Sequence, residues 1–170
     1  MANTFVAIAT VTVGSGGSGS ITFSSIPNTY TDLVLKCSAR TGQAAPYTDI
    51  DITLNSESAR QWQGFYQVNS TVGASNNTAF NIVGEGNGTS TTASTFSNFE
   101  LYIPNYTSSN LKTIVSEVVQ ENDAVGSALD ALHANSVTNG TAISSITLVP
   151  FDSQSFVQYT TATLYGIKNS

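Results

Sequence analysis

Residues 139–167, NGTAISSITLVPFDSQSFVQYTTATLYGI, decide the fold. They read as two β-strands joined by a short polar connection. Ala142 to Val149 is rich in Ile, Thr and Val, and Pro150, which has no N–H for a ladder, closes it before a turn at Phe151-Asp152-Ser153. From Tyr159 to Ile167 the chain alternates, with Ala162, Leu164 and Gly166 on one side and Thr161, Thr163, Tyr165 and Ile167 on the other. A strand this apolar is expected to pair centrally in a sheet, because as an edge it would template aggregation.

Working outward, the same period recurs. Phe5 to Val13 is a strand with apolar residues on both faces. The run GSGGSGS, residues 14–20, reads as a flexible linker, a cloning scar or a hairpin loop joining two strands of one sheet; the strand patterns abutting it favour the loop. Residues 1–13 would then be an N-terminal strand or arm, residues 14–20 a Gly/Ser loop, and residues 21–170 the body of the same domain.

Ile21 to Ile26 is a short strand closed by Pro27-Asn28. Thr31 to Arg40 alternates most clearly, with Leu33, Leu35, Cys37 and Ala39 inward and Asp32, Val34, Lys36, Ser38 and Arg40 outward. Asp49 to Leu54 points Ile50, Ile52 and Leu54 to the core. Trp62, Phe65, Tyr66 and Val68 suggest one strand, and Phe80, Ile82 and Val83 another. VGASNN and GEGNGTSTTAST between and after them read as turns and long loops, which usually carry contacts. Phe99 to Ile103 is a strand that Pro104 stops.

In LKTIVSEVVQE, Leu111 to Glu121, helical spacing competes with β-branched content, and strand is the reading the surroundings favour. Val125 to Ala134 shares the ambiguity. Nine or ten short strands predict a single-domain, all-β, antiparallel sandwich of jelly-roll type.

Composition sets limits on function. The chain has 170 residues, enough for one domain that buries roughly 70% of its unfolded surface. Only 9% of residues are charged, so Ser, Thr and Asn must solvate the surface, or the surface must lie against other protein. The net charge is −6, and the five Lys and Arg form no basic stripe, which argues against nucleic acid and against an anionic membrane. MANTFVAIATVTVG has neither a basic n-region nor a long apolar run, so synthesis and folding in a cytosol are expected. The Asn-X-Ser/Thr sequons are what such a composition produces by chance.

Cys37, the single cysteine, is expected to be a buried small hydrophobe. His133, the single histidine, reads as an ordinary strand position. Asp49 and Asp51 project from one strand face. They could join Asn55 or Glu57 around Ca²⁺, or serve as a glycosidase pair, but a solvent-facing edge is the favoured reading. Glu117, Glu121 and Asp123 read as a solvated or interfacial acidic run with Lys112 nearby. Trp62 with Phe65 and Tyr66, and Tyr102 with Tyr106, could stack on a sugar, though core or subunit interface is favoured. No catalytic, cofactor or metal residue is assigned.

Three stretches in order, ITFSSIPNTYTDLVL (21–35), LYIPNYTSSNLKT (101–113) and AISSITLVP with TTATLYGI (142–167), resemble a family of bacteriophage virion structural proteins, labelled tail-fibre or capsid-decoration proteins. Within them Tyr30 could pack under Pro27, Pro104-Asn105 could build a corner, and Gly166 suggests close approach of a neighbouring strand. Members of that family tend to carry a Trp shortly before the AIxSI strand, and residues 132–137 have none.

The resemblance implies a jelly-roll building block of the virion, made in the host cytoplasm, with no enzyme activity and no cofactor. Its partners would be capsid or other virion proteins, and a homo-oligomer such as a trimer is plausible. The expectation is a decoration protein that grips the shell through polar loops and the arm, Ala2 to Val13. The alternative is a tail-fibre or spike module that binds host glycan at exposed Trp62, Tyr66 or Tyr106.

Overall fold

The computed structural model describes residues 4–57, 60–120, 122, 128–137 and 140–168. Among the described residues twelve strands run in chain order: β1 Phe5–Thr12, β2 Ile21–Phe23, β3 Asp32–Ala39, β4 Tyr47–Leu54, β5 Arg60–Val68 and β6 Thr71–Asn77. They continue as β7 Ile82–Asn87, β8 Ser97–Ile103, β9 Lys112–Gln120, β10 Leu129–Val137, β11 Ile146–Pro150 and β12 Thr161–Ile167. They form an eight-stranded sheet, β1-β12-β3-β8-β9-β10-β5-β6, and a four-stranded sheet, β2-β11-β4-β7. The fold is an all-β antiparallel sandwich. The order of β1-β12-β3-β8 over β2-β11-β4-β7 is compatible with a jelly roll. The hairpins β9-β10 and β5-β6 continue the larger sheet past β8, with β7 of the smaller sheet packed on β9 and β10.

The period-2 pattern sets what is inside. Leu33, Leu35, Leu101, Ile103 and Leu164 of the large sheet and Ile50, Ile52, Leu54, Ile146 and Leu148 of the small sheet are fully buried. Each such side chain stabilises the fold by about 1.5–3 kcal/mol relative to exposure. β12 pairs with both β1 and β3, so the closing strand is internal to the sheet as its apolar content requires. Cys37 is buried among these residues, and burial pushes its thiol well above the usual range. The outer faces carry threonine instead. Thr10 and Thr163 hydroxyls lie 3.0 Å apart, and Thr22 and Thr147 3.1 Å apart, as cross-strand pairs that solvate a sheet without charge.

Several expectations change. Asp32 and Val34, on the face opposite Leu33 and Leu35, are nonetheless buried: Asp32 accepts from the Tyr102 hydroxyl at 2.8 Å and from the Asn105 N–H at 2.8 Å. Those bonds hold the corner after Pro104, where Asn105 takes a φ of 46°. Residues 13–20 do not join strands of one sheet, because β1 and β2 belong to different sheets. The segment is pinned by Val13 N–H to Thr160 O at 2.8 Å and Ser18 N–H to Phe156 O at 2.9 Å. Within the N-terminal stretch β1 is a strand, as expected, and it is an edge strand with Ile8 and Val11 packed on the core and a bulge between Ala7 and Ala9 that twists its open edge.

VGASNN lies in a strand, β6, missed because its residues do not alternate. The loop after β7 is tied down by Arg40, whose guanidinium donates to Thr91 Oγ1 (2.9 Å), Thr92 O (3.0 Å) and Thr95 O (2.9 Å). Lys112 points inward, away from Glu117, and donates to Ser108 O at 2.6 Å and Asn110 O at 2.7 Å. Glu121, Asp123 and residues 125–127 lie outside the described residues.

The three stretches carrying the family resemblance meet in space. Tyr106, fully buried, donates its hydroxyl to Pro27 O, and its backbone O accepts from Ile143 N–H at 3.0 Å. The close approach at Gly166 comes from the Tyr30 ring and not from a strand, since a Cβ there would run into that ring. These motifs therefore hold one end of the sandwich together.

Candidate functional site

β7, the edge strand of the small sheet, lies over the large sheet where it continues past β8, packed on β8, β9 and β10. A Cβ on Gly84 would meet the Phe99 ring at 2.5 Å, so glycine there lets β7 approach the large sheet. All six residues of β7 are buried, Glu85 included.

Around Glu85 the structure collects polar groups that the sequence scatters. Trp62 Nε1–H donates to His133 Nδ1 at 3.1 Å. That bond leaves Nδ1 without a proton, so Nε2 carries it and faces both Glu85 oxygens at 3.3 Å. Indole, imidazole and carboxylate thus form a relay from β5 through β10 to β7. Glu85 is in turn directly opposite Asp49 in the β4–β7 ladder. Asp49 is half-buried; its carboxyl is pushed up to about 6, first by burial and next by Glu85. Burial, then Asp49 and Glu85, also raises the Tyr47 phenol.

The cluster opens into a cleft of about 310 Å³ walled by Tyr47, Asp49, Phe80, Phe151 and Asp152. The Phe80 and Phe151 rings pack edge to face with centroids 5.0 Å apart, and Phe80 lies 6.0 Å from Trp62.

His133 is a strand position, on β10, and its partners Trp62 and Glu85 come from strands far away in sequence. Asp49 and Asp51 do share a face but part in role. Asp51 Oδ1 accepts from the N–H of Asn81 (2.7 Å) and of Ile52 (3.0 Å), which fixes the chain entering β7. Asn55 does not join them: its Oδ1 accepts from Ser144 N–H at 2.8 Å and Ser145 N–H at 3.0 Å. Among the described residues no group of three or more His, Cys, Asp or Glu is placed to hold a metal ion. The aromatic groups expected to stack on sugar are dispersed: Trp62 is 7% exposed beside His133, Tyr66 covers Gly73, and Tyr106 is buried under Pro27. A carboxylate opposite Asp49 was the missed element. Glu85 stands in GEGNG, which reads as a loop, so no alternation marked its face.

The raised Asp49 carboxyl has a measurable consequence. Its value rises from 3.8 unfolded to about 6 folded, so within that window the folded chain holds a proton the unfolded chain has lost. Stability therefore falls as pH rises through the window, by roughly 2–3 kcal/mol in full. Urea midpoints should decline for the wild type between those pH values, whereas Asp49→Asn should remove most of the decline. An equal decline in the variant would assign it to another group.

No family model matches the chain, and no curated protein matches it. Among solved structures, the E230A fructofuranosidase from Schwanniomyces occidentalis complexed with fructosylnystose is similar at 9% identity and a TM-score of 0.26. The match covers 99% of this chain and 35% of that one. A likeness this slight carries no argument about fold or activity.

Proposed function

We propose that the protein is a non-enzymatic structural protein of a bacteriophage virion, a decoration protein that docks on the assembled capsid. The observation that carries this reading is the solvent face of the eight-stranded sheet. There Phe65, Val72, Val119 and Leu132, all exposed, line a concavity of about 790 Å³. Phe65 and Leu132 are direct cross-strand neighbours, 60% and 56% exposed. Large apolar side chains grouped on an open sheet mark a protein contact. The concavity also takes in Glu100, Glu117 and Asp130 against the single cation Lys36, which itself pairs with Glu100 at 2.6 Å. A shell surface that presents apolar residues ringed by Lys or Arg is the complementary partner. Many weak contacts of this kind, repeated over a lattice, supply avidity.

The docking element in this reading is the sheet face, not the N-terminal strand, whose deletion would strip β12 of a partner. The double variant Phe65→Glu/Leu132→Glu should fold normally, since both side chains face solvent. It should bind purified shells at least about a hundredfold more weakly. Unchanged binding would overturn the assignment of this face, as would a wild-type protein that buries it in a stable homo-oligomer. Cryo-electron microscopy of the particle gives the location: density repeating over the capsid supports decoration, and density confined to the tail or a vertex favours the glycan-binding tail module.

A further inference from the structure

We propose that the cleft between Phe80, Phe151 and β4 is a binding site for an organic cation, an alkylguanidinium or alkylammonium group such as an Arg or Lys side chain. This is independent of the docking face, which lies on the outer side of the other sheet.

Two aromatic walls and two carboxylates define the ligand. Phe80, Phe151 and Tyr47 line the cleft together with Asp49 and Asp152. Aromatic faces attract a cation through their quadrupole, and carboxylates complete its coordination. Glu85 stands behind Asp49 as a third acid.

Among the described side chains the cations do not answer them. Arg40 is spent on the loop at 91–95, Lys36 on Glu100, and Lys112 on Ser108 and Asn110, while Lys168 lies 5.7 Å from the centre of the Tyr30 ring. Neither Asp49 nor Asp152 has a cation within ion-pair distance among them. The groups facing Asp49 are Glu85 on β7, His133 on β10, Asp152 on the turn after β11 and Tyr47 on its own strand. None of them is a fixed positive charge. An uncompensated, half-buried acid lowers stability without a ligand, and a bound cation removes that cost.

The site is testable because Trp62 is the single tryptophan and touches the back of Phe80. Intrinsic fluorescence and calorimetry would be recorded on the whole chain with n-butylguanidinium, n-butylammonium and, as a neutral shape match, n-butylurea. Both cations should bind saturably and at least about tenfold more tightly than the urea. Affinity should fall as pH drops through about 6, where Asp49 takes up its proton.

Asp49→Asn and Asp152→Asn should each weaken cation binding severalfold, and together should abolish it. Asp152 has a φ of 57°, which Asn tolerates as well as Asp, so that substitution leaves the turn intact. A blocked tripeptide with a central Arg distinguishes the source. Tighter binding than n-butylguanidinium points to a protein partner and weaker binding to a free amine or guanidine, and either upholds the cation site. Equal binding of n-butylurea, no response by either method, or full binding by the double variant would overturn it.

Discussion

His133→Ala is expected to destabilise the fold by about 3–5 kcal/mol, read as a lower urea midpoint at neutral pH. The ring is buried and satisfies two buried neighbours at once, the Trp62 N–H at 3.1 Å and the Glu85 carboxylate at 3.3 Å. Alanine leaves the indole donor without an acceptor, which alone costs about 1–3 kcal/mol. It also leaves Glu85 without its buried partner, with Asp49 directly opposite it. Removing every member of the relay has a different sign. Trp62→Phe, Glu85→Met and His133→Leu together should recover most of the loss, because no polar group then remains buried unpaired. A cost below about 1 kcal/mol for His133→Ala would mean that water replaces the imidazole, and the relay would not be the structural element derived above.

Gly84→Val is expected to cost about 3 kcal/mol and to disrupt the cleft as well. A side chain at residue 84 would occupy the space of the Phe99 ring, where a Cβ comes within 2.5 Å of it. Phe99 is itself buried on β8, paired on both sides, so neither strand can yield freely. The displacement falls on β7, whose next residue is Glu85. Thermal unfolding would register the loss, and a red shift of Trp62 emission would register water reaching the relay. Phe99→Ala added to Gly84→Val should be far less harmful than the sum of the two, since each change makes room for the other. Strict additivity would show that residue 84 does not touch the ring.

The sandwich was largely legible from alternation. Leu33 to Ala39, Ile50 to Leu54 and Ala162 to Gly166 carry period-2 patterns that report one buried face, and all three faces are buried. Val118 and Ile114 had helical alternatives, yet β-branched content outweighed spacing, and both lie on β9. β6 was illegible for a physical reason: as an exposed edge it buries almost nothing, so no alternation is imposed on it and only pairing with β5 makes it a strand. The burial of Asp32 is not legible from alternation, because it comes from the Pro104 corner, where Tyr102 and Asn105 close over it.

By itself, the sequence determined the chemistry of the surfaces: a chain poor in charge, rich in Thr-bearing strands, with a single Trp, a single His and a single Cys. It also determined which face of most strands is buried, because that face is written locally in every second residue. Only the tertiary structure decided that β7 crosses over β10, that Trp62, His133, Glu85 and Asp49 meet, and that Phe80 and Phe151 wall a cleft beside them. The His133–Glu85 contact joins strands of two different sheets, and its geometry follows from the sheet order that lays β7 over β10. Sheet order is not a property of any short stretch of sequence, and the glycine at residue 84 acquires its role only where β7 meets the Phe99 ring.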